Sequence, residues 1–119
     1  MADIQRIATD TRRSRAVVYN GMVFVGGQTA DDRSQDIAGQ TRQTLAKIER
    51  FLAEAGTDKS RLLTAQIWMK NIERDFDGMN KVWDAWTAPN AASTRATAQC
   101  EMGDPNILVE IIVTAATAG

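Results

Sequence analysis

The amino-acid sequence predicts an α+β fold: a mostly antiparallel, six-stranded sheet with two helices on one face. Three observations predict it. Asn20-Gly21 sits between two short apolar runs, the signature of a β-hairpin. Two long stretches carry apolar side chains at helical spacing. Near the end of the chain, two alternating segments flank Met102-Gly103-Asp104-Pro105. The order β-β-β-α-β-α-β-β suits a sheet whose helices cover only one face. The other face must then meet water or another subunit.

Taken in order, residues 4–9 read as a short edge strand. Residues 16–19 and 22–25 are the arms of the hairpin, and Asn20-Gly21 supplies the positive φ values of a type I′ turn. Gly26-Gly27 follows at once, where backbone can lie bare beside a ligand or another strand. After a polar connection at residues 31–36, a helix starts near Ser34 or Asp36 and runs to Ala55. Ile37, Thr41, Leu45, Ile48, Phe51 and Leu52 share its apolar face, and Gly56 is a C′ stop. Residues 62–69 form a strand with Leu63, Ala65, Ile67 and Met69 on one face. A second helix spans residues 73–87 with an apolar stripe of Phe76, Met79, Trp83 and Trp86, closed by Pro89. Residues 95–101 and 107–115 are the last two strands.

Composition bounds the function. The 119 residues read as one domain, 1–119, with an ordinary 44% hydrophobic and 24% charged content. Net charge is −1 and Arg12, Arg13 and Arg15 are too few for a basic stripe, so nucleic acid is not an expected partner. Residues 1–9 hold no apolar signal region and no run is long enough to span a membrane, which leaves the cytoplasm as the expected compartment. With Cys100 the only cysteine and no histidine, neither a His-assisted nucleophile nor a common metal site is expected. Chemistry falls to carboxylates, Arg, Lys, Tyr, Ser, Thr or backbone.

The last two strands suggest where. Paired as a hairpin across a four-residue loop, Met102 to Pro105, they set Cys100 opposite Ile107, Ala98 opposite Val109 and Ala96 opposite Ile111. Cys100 is then an inert core thiol. Arg95 and Glu110 fall on the opposite face as diagonal neighbours. Glu110 lies inside Ile107-Leu108-Val109-Glu110-Ile111-Ile112-Val113, where a carboxylate is costly unless paired. Two readings stand: a structural Arg–Glu ion pair, or a pocket carboxylate for proton transfer beside an arginine that clamps a substrate carboxylate. The tryptophans read as core or interface residues, and Asn80 as either surface polar or pocket donor.

Asn20-Gly21, Val23-Phe24-Val25-Gly26-Gly27-Gln28, Ala53-Glu54-Ala55-Gly56, Asp75-Phe76 before Met79-Asn80, Arg95, and Val109-Glu110-Ile111 together resemble the RidA (YjgF) family. Arg95 stands fifteen positions before Glu110. The resemblance implies a chorismate-mutase-like fold and a homotrimer with its sheets in an inner barrel and its sites between subunits. It implies cofactor-independent hydrolytic deamination of 2-imino or enamine acids to 2-oxo acids. In this role Arg95 holds the substrate carboxylate and Glu110 activates water. Gly27 and Thr97 add hydrogen bonds, and Asn80 lies near the pocket. Arg13 stands where the best-known subgroup often carries Tyr, Gly26 where it often carries Ser, and Ser93-Thr94 where it usually has Pro-Ala. The alternative is a non-catalytic member that binds or senses a small carboxylate.

Overall fold

The computed structural model describes residues 3–118. Strand β1 (Gln5–Thr9) runs antiparallel to β2 (Ser14–Tyr19), with Thr9 opposite Ser14. The loop between them is fixed by Asp10, whose carboxylate accepts the backbone N–H groups of Arg12 (2.7 Å) and Arg13 (2.9 Å). Those bonds, led by Arg12, hold the Asp10 carboxyl below its usual range. Strand β3 (Met22–Gln28) pairs with β2 across Asn20 (φ 53°) and Gly21 (φ 81°), the expected type I′ geometry.

Helix α1 (Ile37–Glu54) begins at Asp36, whose side chain accepts the Gly39 N–H at 2.9 Å. It ends in a Schellman motif: Gly56 N–H donates to Ala53 and Thr57 N–H to Leu52, with Gly56 at φ +81°. Leu45, Ile48, Phe51 and Leu52 bury its apolar face, as their spacing predicts. After a short 3-10 turn (Lys59–Arg61), strand β4 occupies Leu62–Met69. Ala65, Ile67 and Met69 are buried, while Leu63 is exposed because the register with its neighbour shifts between Leu62 and Thr64. Helix α2 (Ile72–Trp86) is capped by Asn71 and buries Met79 and Trp83. Strands β5 (Thr94–Gln99) and β6 (Val109–Ala116) complete the sheet. Among the described residues no helix is long and apolar enough to cross a membrane.

The sheet order is β1-β2-β3-β6-β4-β5, and the sheet is mixed. The expected β5–β6 hairpin does not form. β6 inserts between β3 and β4, antiparallel to both, and β5 pairs only with β4, in parallel. Sequence explains the choice. In β6, Val109, Ile111, Val113 and Ala115 are essentially fully buried, which only a central strand under helices allows. Strand β5 reads Thr-Arg-Ala-Thr-Ala-Gln and suits an edge. A parallel β4–β5 pair needs a crossover, and α2 supplies it.

A buried glutamine pins the connection from β5 to β6. Gln40, 1% exposed on α1, donates from Nε2 to the carbonyls of Asn106 (3.0 Å), Gln35 (3.1 Å) and Arg33 (3.3 Å). Its Oε1 accepts the Leu108 N–H at 3.0 Å. These groups have no ladder partner of their own, and the buried Gln40 side chain supplies one for each.

Candidate functional site

The strand order separates the two residues that the hairpin expectation put side by side. Arg95 is opposite Ala65, whose other neighbour Val113 is buried under the helices. Glu110 is opposite Trp68, on the face the helices leave open. Strand alternation therefore puts Arg95 and Glu110 on opposite faces of one sheet. They are neither diagonal neighbours nor an ion pair. The supposed apolar face of Ala96, Ala98 and Cys100 dissolves for the same reason. Cys100 is half-buried beyond the end of β5, lining a hollow with Trp68, Met102 and Glu110 instead of lying in the core.

Two clusters result. The first surrounds Glu110. Gly27 approaches so closely that a Cβ there would overlap the Glu110 carboxylate. The bare backbone arises where the β3–β6 register shifts between Val25 and Gln28. Glu110 and Gly27 line a cavity of about 450 Å³ together with Arg13, Arg15, Arg33 and Lys47. Lys47 is tied down, with its ammonium 2.6 Å from Asp31 and donating to the Thr29 carbonyl at 2.8 Å. The hydrogen bond from Lys47 holds the Asp31 carboxyl below its usual range. Arg33 pairs with Asp104 at 3.1 Å. The Glu110 carboxylate itself accepts no hydrogen bond from the described residues, so its lone pairs are available to a ligand or water.

The second cluster lies on the helix side of β5. The Arg95 guanidinium carbon is 5.7 Å from the Trp83 ring centroid and 5.9 Å from that of Phe76. This cation–π platform orients the group without neutralising it. Asn80 falls one turn along α2 from both rings, on the same helix face. Its Oδ1 is buried with no partner among the described residues, and so is the Thr97 hydroxyl, on the same face of β5 as Arg95. An unneutralised guanidinium beside unmet buried polar atoms is the chemistry of a site awaiting an anion with further polar groups.

Of the expected site residues, Gly27, Glu110 and Arg13 thus gather in one cluster, and Arg95, Asn80 and Thr97 belong to the other. The sequence allows one of Arg12, Arg13 and Arg15 to line a pocket, and both Arg13 and Arg15 line the Glu110 cavity. Sequence reasoning missed the role of Phe76 and Trp83, whose helical spacing reads simply as core. It also missed Gln40, for which no local signal exists beyond a polar residue on an apolar stripe.

A family model described as Endoribonuclease L-PSP matches residues 3–117. A RutC family protein of Haemophilus ducreyi is 42% identical over 113 residues, covering 95% of this chain and 96% of that one. The chain belongs to the RidA (YjgF) family. The RutC family protein YoaB of Escherichia coli, 36% identical over 95% of this chain and 97% of its own, is another relative. A solved YjgF-family structure from Neisseria meningitidis superposes with a TM-score of 0.95 at 38% identity, covering 98% of this chain and 97% of that one. An uncharacterized protein from Pseudomonas aeruginosa superposes at 0.93 with 41% identity, covering 97% and 99%. The chain therefore has the YjgF-family α+β fold over almost its whole length.

Proposed function

We propose that this RidA-family chain hydrolyses reactive 2-imino acids, or their enamine tautomers, to 2-oxo acids and ammonia. The observation that carries the reading is a pair of groups that no described residue neutralises: Arg95 laid over Phe76 and Trp83, and Glu110, which accepts no hydrogen bond from a described residue, beside the bare Gly27 backbone. They lie on opposite faces, so one copy cannot present both to a small molecule. The working site therefore combines Arg95, Asn80 and Thr97 of one subunit with Glu110, Gly27 and Arg13 of another, in a homotrimer. Two features support assembly. Arg95 is on the edge strand, where a second copy can approach, and the open sheet face exposes Tyr19, Phe24 and Trp68.

Arg95 holds the substrate carboxylate through paired N–H donors and turns the imine carbon towards Glu110. Glu110 takes a proton from a water as its oxygen bonds to that carbon. The carbon–nitrogen double bond becomes single, giving a carbinolamine. Glu110 passes that proton to the nitrogen and then carries the hydroxyl proton to it as well, so that the carbon–nitrogen bond breaks, ammonia leaves and a carbonyl remains. Imines are already electrophilic, so positioning and one proton shuttle suffice. The matching family model is described as an endoribonuclease. This chain carries net charge −1, and two of the four cations in its basic cavity are already paired, which does not favour RNA.

The test generates imines with an amino-acid oxidase and follows semicarbazone formation. The protein is expected to speed imine loss, and no acceleration overturns the reading. A second reading, a non-catalytic carboxylate sensor, draws on the Arg95 cluster alone, which holds no group for proton transfer. Tight calorimetric binding of 2-oxo acids without turnover supports that alternative.

A further inference from the structure

We propose that the substrate carries a second acid group, held by Arg13 and Arg15, so that the preferred imines are those of dicarboxylic amino acids. This rests on the deaminase reading for its chemistry, but on a separate set of residues for its evidence. Four cations line the Glu110 cavity, and the structure accounts for two. Lys47 is neutralised by Asp31 at 2.6 Å, and Arg33 by Asp104 at 3.1 Å. Arg13 and Arg15 form neither a side-chain hydrogen bond nor an ion pair with any described residue. Glu110, the remaining carboxylate of the cavity, is paired with neither.

Their placement is held rather than accidental. Arg15 is a half-buried β2 residue whose alternation with buried Ala16 puts it on the open face with Glu110. Arg13 closes the β1–β2 loop, where its N–H donates to the Asp10 carboxylate at 2.9 Å and its carbonyl accepts the Asp10 N–H at 2.9 Å. A substrate whose α-carboxylate lies on Arg95 of a neighbouring subunit, and whose imine carbon faces Glu110, directs its side chain past Gly27 into this cavity. An aliphatic side chain there would desolvate two guanidiniums and give nothing in return. A carboxylate accepts from both, with the fork geometry that favours arginine. The hollow on the other side of Glu110, lined by Trp68, Ala98, Cys100 and Met102, is where an apolar side chain would go instead. The two unpaired guanidiniums draw an acidic side chain to the cationic cavity rather than to this hollow.

The experiment compares the imines of glutamate and leucine, each generated in place by an oxidase accepting that amino acid, and reads the ratio of kcat/KM. In parallel, calorimetry compares 2-oxoglutarate with 2-oxoisocaproate. The dicarboxylic compound is expected to be preferred by about tenfold or more in both readouts. The Arg13→Ala/Arg15→Ala double variant is expected to lose that preference through KM, and the Lys/Lys variant to keep part of it. Turnover with equal preference overturns this inference and leaves the deaminase reading standing. No turnover, but tighter 2-oxoglutarate binding that the double variant abolishes, overturns the deaminase reading and supports the dicarboxylate site. A double variant that retains the full preference overturns the assignment to these two arginines.

Discussion

Arg95 and Glu110 share a sheet but not a face: Arg95 is opposite Ala65 on the helix-covered side, and Glu110 is opposite Trp68 on the open side. Each is presented without an ionic partner among the described residues. A mechanism needing both must draw them from different copies.

That requirement yields a complementation test. Arg95→Ala and Glu110→Gln, each assembled alone, are expected to be inactive on 2-imino acids. Mixed in equal amounts and allowed to exchange subunits, they regenerate sites with both native residues. Random assembly of a cyclic trimer restores about a quarter of wild-type activity. Light scattering should first find each variant trimeric, and an absence of rescue in exchanged mixtures would argue for a site within one chain.

Gly27→Ala separates activity from stability. Its Cβ would overlap a Glu110 carboxylate oxygen, the movable end of a flexible side chain, and Gly27 has no positive φ to lose. The carboxylate swings aside at little thermodynamic cost. We expect Tm to stay within a few degrees while kcat/KM falls about 100-fold, the usual consequence of misplacing a reacting group by an ångström.

Gln40→Leu does the reverse. It removes the acceptor for Leu108 N–H and the donor shared by Asn106, Gln35 and Arg33, leaving part-buried backbone bonds unmade. The cost is about 2–3 kcal/mol, or roughly 10 °C in Tm, measured by urea and thermal unfolding.

Asp31 gives a pH signature. Lys47 holds its carboxyl below the ordinary 3.8, so the folded chain binds this proton less readily than the unfolded one. The stabilisation is complete above the ordinary value and is lost as pH falls through the lower, folded value. Because Asp31 is 84% exposed, the pair contributes only about 0.5 kcal/mol. Urea unfolding of Asp31→Asn against wild type should show this difference at pH 7, and the difference should shrink as the pH falls below 3.8.

Much of the fold was legible because local chemistry dictates it. Asn20-Gly21 permits a type I′ turn, the Gly56 conformation ends α1, and helical spacing marks the buried faces of both helices. Residues 62–69 were a strand in sequence and remain one in the structure. The chemically exceptional residues of the candidate site were legible too. Glu110 stood out as a charge in an apolar strand, Gly27 as bare backbone, and Arg95 through its spacing from Glu110 in a familiar pattern.

What the sequence by itself determined, then, is where each element starts and stops and which residues are chemically exceptional. Those properties follow from neighbours within a few positions. Only the tertiary structure decided which strands lie side by side. Residues 95–101 and 107–115 have a hairpin's length and alternation, and nothing local forbids that pairing. Burial forbids it: the most apolar strand takes the centre, α2 carries the polar β5 to the edge in parallel, and Gln40 ties down the loop between them. Because side chains alternate along a strand, that choice of neighbours decides which face each residue meets. It turned Arg95 and Glu110 from an apparent pair into members of two separate clusters on opposite faces.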